Sequence, residues 1–325
     1  MTTTRIYRST DSGAPVLMGE AGSLLNVLDK CLVDGYGSKV AAGWTRPFTG
    51  TNKSVYRNAV AAGGSGMYLR VLDDGSATGG ARNALVRAYL TMSDVDTGTV
   101  ETPTAAQLST GTVWRKSDTV DSTARSWIVI ADELTIYLWV NTGTSSNGDS
   151  TYGAGDIASD VPGDAYRYFL CGRETAHAGG ALGTHAGFCF PLDSLVTAPS
   201  SDSAWMGRSY AGSGDPVRAG IIYPWRIGAG VYIGAGNAMA NPTPGTGLVY
   251  YIPAVVMANF AVRGRYRGMY CPLNTLAGVA AGTEVANPPG LDGRTLATLR
   301  HFCTSSGSNA IYDGHIMIDI TGPWS

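Results

Sequence analysis

One segment constrains the fold more than any other. Trp127-Ile128-Val129-Ile130 is followed, across Asp132-Glu133, by Thr135-Ile136-Tyr137-Leu138-Trp139-Val140. Both runs are rich in β-branched and aromatic residues and read as the two strands of a hairpin. A half-buried strand alternates apolar and polar residues, whereas these runs are apolar on both faces. The pair must therefore be covered on each side, by a packed second layer or by a neighbouring chain.

Composition leans the same way. The 325 residues include 44 glycines and 20 aspartates, but only 4 lysines and 5 glutamates. Strong helix formers are scarce and turn formers abundant, which favours strands joined by turns. Charged residues amount to 15% and the formal net charge is −2, which argues against a coiled coil, a basic nucleic-acid-binding domain or an acidic disordered tail. The length allows a full core without metals or disulfides. It suits either one large domain or two, residues 1–160 and 161–325, because glycine-rich loops lengthen and proline becomes commoner beyond residue 160. No run of about 18 apolar residues suggests membrane insertion. The opening MTTTRIYRSTDSG lacks the apolar stretch of a secretory signal, so synthesis and retention in a cytoplasm are expected. Cys31, Cys171, Cys189, Cys271 and Cys303 are odd in number, widely spaced and without a CxxC pair, and read as buried free thiols.

Helical periodicity is clear over Ser23–Val33, where Leu24, Leu28 and Leu32 recur at four-residue steps beside Leu25. Ser23 is placed to cap its start, and Gly35 lies just past its end. A weaker helix is expected from Thr295 to Phe302, after Pro288-Pro289-Gly290. Further strands are expected at Arg5–Arg8, Gly66–Leu72, Ala84–Leu90, Tyr166–Cys171, Gly187–Phe190, Gly220–Tyr223, Gly230–Ile233, Leu248–Phe260 and His315–Ile320. Asn141–Gly155, His177–Gly187 and Ala211–Asp215 read as exposed glycine-rich loops. No internal repeat has a fixed period. The fold class that follows is mainly β, with sandwich or barrel-like lobes, long glycine-rich loops and one short amphipathic helix near the N-terminus.

Catalytic signatures such as GxSxG, HExxH and GxxxxGK[ST] do not occur in the sequence. Gly228-Ala229-Gly230 with Gly234 imitates a dinucleotide fingerprint at the wrong spacing, and the following NAMANPTPGTG breaks a helix instead of opening one. Cys171, His177, His185 and Cys189 have ligand types that suit zinc, but their gaps lack the short spacing of structural sites. Asp94-Val95-Asp96-Thr97-Gly98 has the alternating acids of a calcium loop without its third oxygen ligand or downstream glutamate, so ordinary loop chemistry explains it more simply. Arg263, Arg265 and Arg267 alternate and, at strand period, would form a basic row on one face. Pairing with a neighbouring subunit suits that row better than nucleic acid does. The chain has 17 tyrosines and 7 tryptophans against 6 phenylalanines, a bias that suits protein interfaces or sugar platforms as well as ordinary strands. No catalytic, cofactor-binding or metal residue is assigned.

The N-terminal RIYRSTDSGAPVL, followed by DGYGSKVAAGWTRPFTGTNKSVYRN, resembles a family of virion structural proteins of tailed bacteriophages. YLTMSDVDTGT, TPTAAQL, VWRKS, ARSWIVIADELTIYLWV, PGDAYRYFLCGRE and the terminal IDITGPW are similar in the same way. The resemblance covers most of the chain and brings no catalytic motif. It implies a non-enzymatic virion component, without a cofactor, assembled in the host bacterial cytoplasm and most readily placed in the tail or baseplate. Its partners would be other virion proteins and copies of itself. Head decoration, or binding of a host glycan or pilus, is the alternative, and a polysaccharide depolymerase is a third reading.

Overall fold

The computed structural model describes residues 2–74, 82–143, 149–174, 204–222, 248–258, 261–274, 276, 279–304 and 311–324. Within them the chain is mainly β, with a closed six-stranded barrel, additional sheets and one short helix near the N-terminus. In chain order the strands are β1 (Arg5–Arg8), β2 (Thr45–Gly50), β3 (Lys53–Arg57), β4 (Tyr68–Leu72), β5 (Asn83–Tyr89), β6 (Thr91–Asp94) and β7 (Thr97–Thr99). They continue with β8 (Thr112–Arg115), β9 (Trp127–Ala131), β10 (Thr135–Asn141), β11 (Asp149–Ser159), β12 (Tyr168–Cys171), β13 (Arg173–Glu174) and β14 (Ala204–Met206). The last are β15 (Val217–Ile222), β16 (Tyr251–Ala258), β17 (Ala261–Pro272), β18 (Glu284–Ala286), β19 (Thr295–Thr304) and β20 (Ile311–Asp319).

Side-chain alternation in the β9–β10 hairpin sets the layering. Val129, Ala131, Ile136, Leu138 and Val140 enter one buried cluster, while Ile128, Ile130, Tyr137 and Trp139 enter another. The first cluster is completed by helix α1 (Ser23–Leu28) and by the six-stranded sheet β13-β8-β5-β4-β3-β2, through residues such as Tyr56, Leu69, Val86 and Trp114. The second is completed by Leu299, Ile316 and Ile318 of β19 and β20 and by side chains of the barrel. Both covers thus come from the chain itself. Each buried aliphatic or aromatic side chain contributes about 1.5–3 kcal/mol relative to exposure, so a strand pair apolar on both faces is stable only as a middle layer.

The barrel forms inside a twelve-stranded antiparallel sheet that runs β1-β9-β10-β11-β12-β14-β15-β16-β17-β20-β19-β18. An additional β11–β17 pairing joins strands that are otherwise separated, closing β11, β12, β14, β15, β16 and β17 into a ring. Both seam strands fork. The first part of β11 pairs with β10, and its last residues, Ile157 to Ser159, pair with Tyr266 to Gly264 of β17. Beyond that point β17 pairs with β20 through Met269 and Tyr270. Small residues line one cross-strand row of the ring: Gly153 lies opposite Cys171, Cys171 opposite Ala204, Ala204 opposite Ala219 and Ala219 opposite Ala258. The neighbouring row carries Phe169 and Met206, and Phe169 meets Tyr266 edge-on at 4.8 Å between ring centroids. Interior positions of a small barrel are filled by side chains, and alternating small and large rows suit that narrow space.

The N-terminal helix has the extent its periodicity suggests but changes pitch part-way. It is α-helical over Ser23–Leu28 and continues as a π-helical turn over Asp29–Asp34, ending at Gly35 with φ 80°. Ser23 does not cap it. Its hydroxyl donates to the Met18 carbonyl at 2.7 Å, and the Leu24 N–H donates instead to Oδ2 of the distant Asp73 at 2.9 Å. The leucine stripe is as expected, since Leu24, Leu28 and Leu32 are fully buried. Leu28→Ala is expected to cost about 3 kcal/mol by loss of apolar contact and a residual cavity, read as a lower urea midpoint with unchanged m-value.

Two expectations are corrected. Thr295–Phe302 is not a helix but most of β19, paired along its length with β20. Its leucines sit at 296 and 299, one helical step apart, but pairing with β20 makes it a strand and sends them to opposite faces, Leu296 into one buried cluster and Leu299 into another. Asn141–Gly155 is not wholly an exposed loop: from Asp149 onward it is β11, buried from Thr151 to Ile157. Glycine and alanine there reflect the tight seam. Strands expected at Gly187–Phe190 and Gly230–Ile233, and the loop His177–Gly187, lie outside the described residues, whereas Ala211–Asp215 is an exposed turn as expected. The twelve-stranded sheet runs across residue 160, where the sequence suggests a domain boundary. Cys31, Cys171 and Cys271 are buried thiols, as expected.

Candidate functional site

One concentration of buried polar groups in this β framework lies at the barrel seam. The turn between β9 and β10 is held by Asp132, whose Oδ1 accepts the Leu134 and Thr135 N–H groups, each at 2.8 Å. A carboxylate that ties down its own following backbone is ordinary turn chemistry. Its second oxygen, Oδ2, accepts from Nη2 of Arg267 on β17 at 2.7 Å. One strand away on β11, Asp156 accepts from Asn58 Nδ2 at 3.0 Å, the Ser65 N–H at 2.7 Å, the Ser65 hydroxyl at 2.5 Å and Arg167 Nε at 3.1 Å. Both carboxylates are buried, and both are fully engaged in that each oxygen accepts at least one donor.

The two arginines are not. Arg267 is 8% exposed, and its side-chain hydrogen bonds, to Asp132 and to the Thr2 hydroxyl at 3.3 Å, both leave from Nη2. Its Nε is buried and has no hydrogen-bond partner. A guanidinium carries five N–H donors, so most of this one's capacity is unspent among the described residues. Arg167 also donates to the Gly63 carbonyl and remains 33% exposed. Arg267, Arg167 and Asp156 line one cavity of about 480 Å³, together with Leu134, Ile157 and Trp324. That volume is within the range of small-molecule sites, and apolar walls with a few polar groups are their usual chemistry.

Arg263, Arg265 and Arg267 do not form a basic row. Arg265 is exposed, while Arg263 and Arg267 are buried on β17. Pairing with β16 shifts register between Val256 and Met257, and Gly264 adopts φ 152°, which breaks the simple alternation. Arg263 binds Asp164 of the same chain bidentately, Nε to Oδ2 at 2.9 Å and Nη2 to Oδ1 at 2.8 Å. Burial pulls the Asp164 carboxyl upward, but this guanidinium and the Ser159 hydroxyl outweigh it and leave it below the usual carboxylate range. The arginine pairing expected with a neighbouring subunit is therefore made within the chain at positions 263 and 267.

Neither protein-family models nor curated proteins match the chain.

The sequence-derived metal candidates are placed as follows. Cys171 faces the small-residue row of the barrel, while His177, His185 and Cys189 lie outside the described residues. Asp94 and Asp96 flank the β6–β7 turn. Asp96 is bound by Lys53 at 2.7 Å and by Arg70, and these cations hold its carboxyl below the usual carboxylate pKa. A carboxylate already neutralised by two cations is a poor calcium ligand. Asp94 Oδ1 accepts the Val95 N–H at 2.7 Å, which is the loop chemistry expected of it. Asp132, Asp156 and Arg167 escape sequence reasoning because nothing in their spacing links them. One legible signal was an aspartate inside the small-residue strand GAGDIAS, since a charge in a buried strand needs a partner.

Proposed function

We propose that this chain is a non-enzymatic structural subunit of a tailed-phage virion, associated with the tail or baseplate and acting through contacts with copies of itself and other virion proteins. The observation that carries the reading is the set of sequence strings, from RIYRSTDSGAPVL to IDITGPW, that resemble such proteins along most of the chain. The architecture is compatible with it. β2 ends the six-stranded sheet with Thr45, Arg46, Pro47, Thr49 and Gly50 exposed, and β18 ends the larger sheet with Glu284 and Ala286 exposed. Exposed sheet edges are surfaces on which another chain can settle. Pro47 and the register shift between Thr45 and Phe48 blunt ladder extension along β2, so side-chain contacts would dominate there.

The test is direct. Mass spectrometry of purified particles should find the chain in stoichiometric amount, a low-resolution map should place it, and the isolated protein should self-associate at high concentration. A protein that stays monomeric and is missing from particles would overturn the proposal. The seam cavity favours a second reading, a module that binds a host-surface ligand. Saturating protein would then compete with phage adsorption, and unchanged adsorption would remove that reading.

A further inference from the structure

We infer that the seam cavity binds a small, hydroxylated monocarboxylate, of the chemical class of a uronic acid, with Arg267 as the group that receives the carboxylate. Arg267 is almost wholly buried, yet its Nε has no partner and its side-chain hydrogen bonds use a single terminal nitrogen. Buried donors are normally satisfied, so an unspent guanidinium in a cavity wall calls for an acceptor. The neighbouring carboxylates cannot supply it, because Asp132 and Asp156 already serve the backbone, Asn58, Ser65 and the two arginines. With both Nη2 hydrogens spent, the terminal nitrogen Nη1 keeps two N–H donors, which a carboxylate oxygen matches in charge.

Charge decides between anions. Two guanidiniums and two carboxylates cancel around the cavity, so a monoanion adds one charge facing two arginines. A phosphate dianion would add two beside Asp156 in the cavity wall and is disfavoured. Size and lining indicate the rest of the ligand. About 480 Å³ is far more than one carboxylate needs. The Thr2 hydroxyl offers a polar contact, while Leu134, Ile157 and Trp324 offer apolar surface to C–H faces. A sugar ring presents that mixture of hydroxyls and C–H faces. The inference does not rest on the virion proposal, because the isolated chain suffices to test it.

The experiment is calorimetric titration of the full chain with glucuronate, glucose, acetate and inorganic phosphate in parallel. Glucuronate is expected to bind saturably in the millimolar range or tighter, with glucose, acetate and phosphate each at least tenfold weaker. Arg267→Met combined with Asp132→Asn removes both charges of one pair together, keeps an acceptor for Leu134 and Thr135, and should weaken glucuronate at least tenfold. Should that variant fail to fold, Arg167→Gln replaces the more exposed arginine while Asp156 keeps Asn58 and Ser65, and a severalfold loss is expected. No saturable glucuronate binding, equal binding of glucose, acetate or phosphate, or unchanged affinity in a folded arginine variant would each overturn the inference.

Discussion

Lys116→Met should lower stability by about 4 kcal/mol at pH 8 and by much less at pH 4, because it strands a buried carboxylate. Lys116 and Asp73 are fully buried at the start of α1 and bonded to each other. Lys116 Nζ also donates to the Glu20 carbonyl and the Ser23 hydroxyl, and Asp73 caps the helix through Leu24. Burial is the largest influence on both groups. It pushes the Asp73 carboxyl up to about 6 despite the lysine, and pulls the Lys116 ammonium below its ordinary value despite the aspartate. The sign follows by linkage. A carboxyl raised above its unfolded value contributes stability that is complete below about pH 4 and is lost as pH rises through its folded value. In Lys116→Met that folded value climbs further, so protonation at pH 4 relieves the variant and pH 8 exposes its full cost. Asp73→Asn should behave oppositely. It keeps a capping oxygen but leaves the ammonium unpaired, and a lysine lowered by burial loses stability as pH falls through its folded value. Asp73→Asn is therefore expected to gain stability between pH 6 and 10. Urea midpoints at pH 4, 6, 8 and 10 read both slopes, and equal midpoints across that range in both variants would refute the account. A double replacement by apolar residues should recover much of the loss, since a buried pair is weak net stabilisation but costly to break.

How much of this was legible beforehand differs between backbone and side chains. The β9–β10 hairpin was, because two-sided apolarity is a property of consecutive residues and demands two covers whatever supplies them. The leucine stripe of α1 was legible for the same reason. What covers the hairpin was not, since α1, β5 and β19 come from remote parts of the chain. β11 was misread because Gly153, Ala154 and Gly155 look like loop residues, yet close approach of strands at the seam requires small ones. β19 was misread because Leu296 and Leu299 fit a helical step, while the register with β20 that makes them strand residues is non-local. Of the seam cavity only Arg267 stood out, and as part of a surface row. Its burial depends on the irregular β17 backbone, and its partner Asp132 is 135 residues away.

Gly264→Val is expected to prevent barrel closure, with a loss above about 4 kcal/mol or no soluble folded protein. At Gly264 a Cβ would lie 2.1 Å from the Ala158 carbonyl oxygen and 2.8 Å from the Ser159 Cα, and φ is 152°. Across the seam, at Gly155, it would lie 2.3 Å from the Leu134 carbonyl oxygen and 2.5 Å from the Thr135 Cα, with φ 129°. These neighbours are backbone atoms, so no side chain can swing away to make room. Gly155 stands where β11 leaves β10 and turns to β17, and Gly264 is opposite Ser159 in that last pairing. Gly290→Ala supplies the control: its φ is 77° and nothing lies within 4 Å, so backbone strain alone should cost about 1 kcal/mol. Hydrogen exchange separates the two effects. Gly264→Ala, if it folds, should lose protection at Ile157 to Ser159 and Gly264 to Tyr266 while β3, β4 and β5 stay protected, whereas Gly290→Ala should leave the seam unchanged. Equal cost at positions 264 and 290 would mean that the seam tolerates a side chain and that β11–β17 pairing is not what closes the ring. Because Asp156 and Arg267 hang from the two seam strands, opening it should also abolish ligand binding in the cavity without touching either residue.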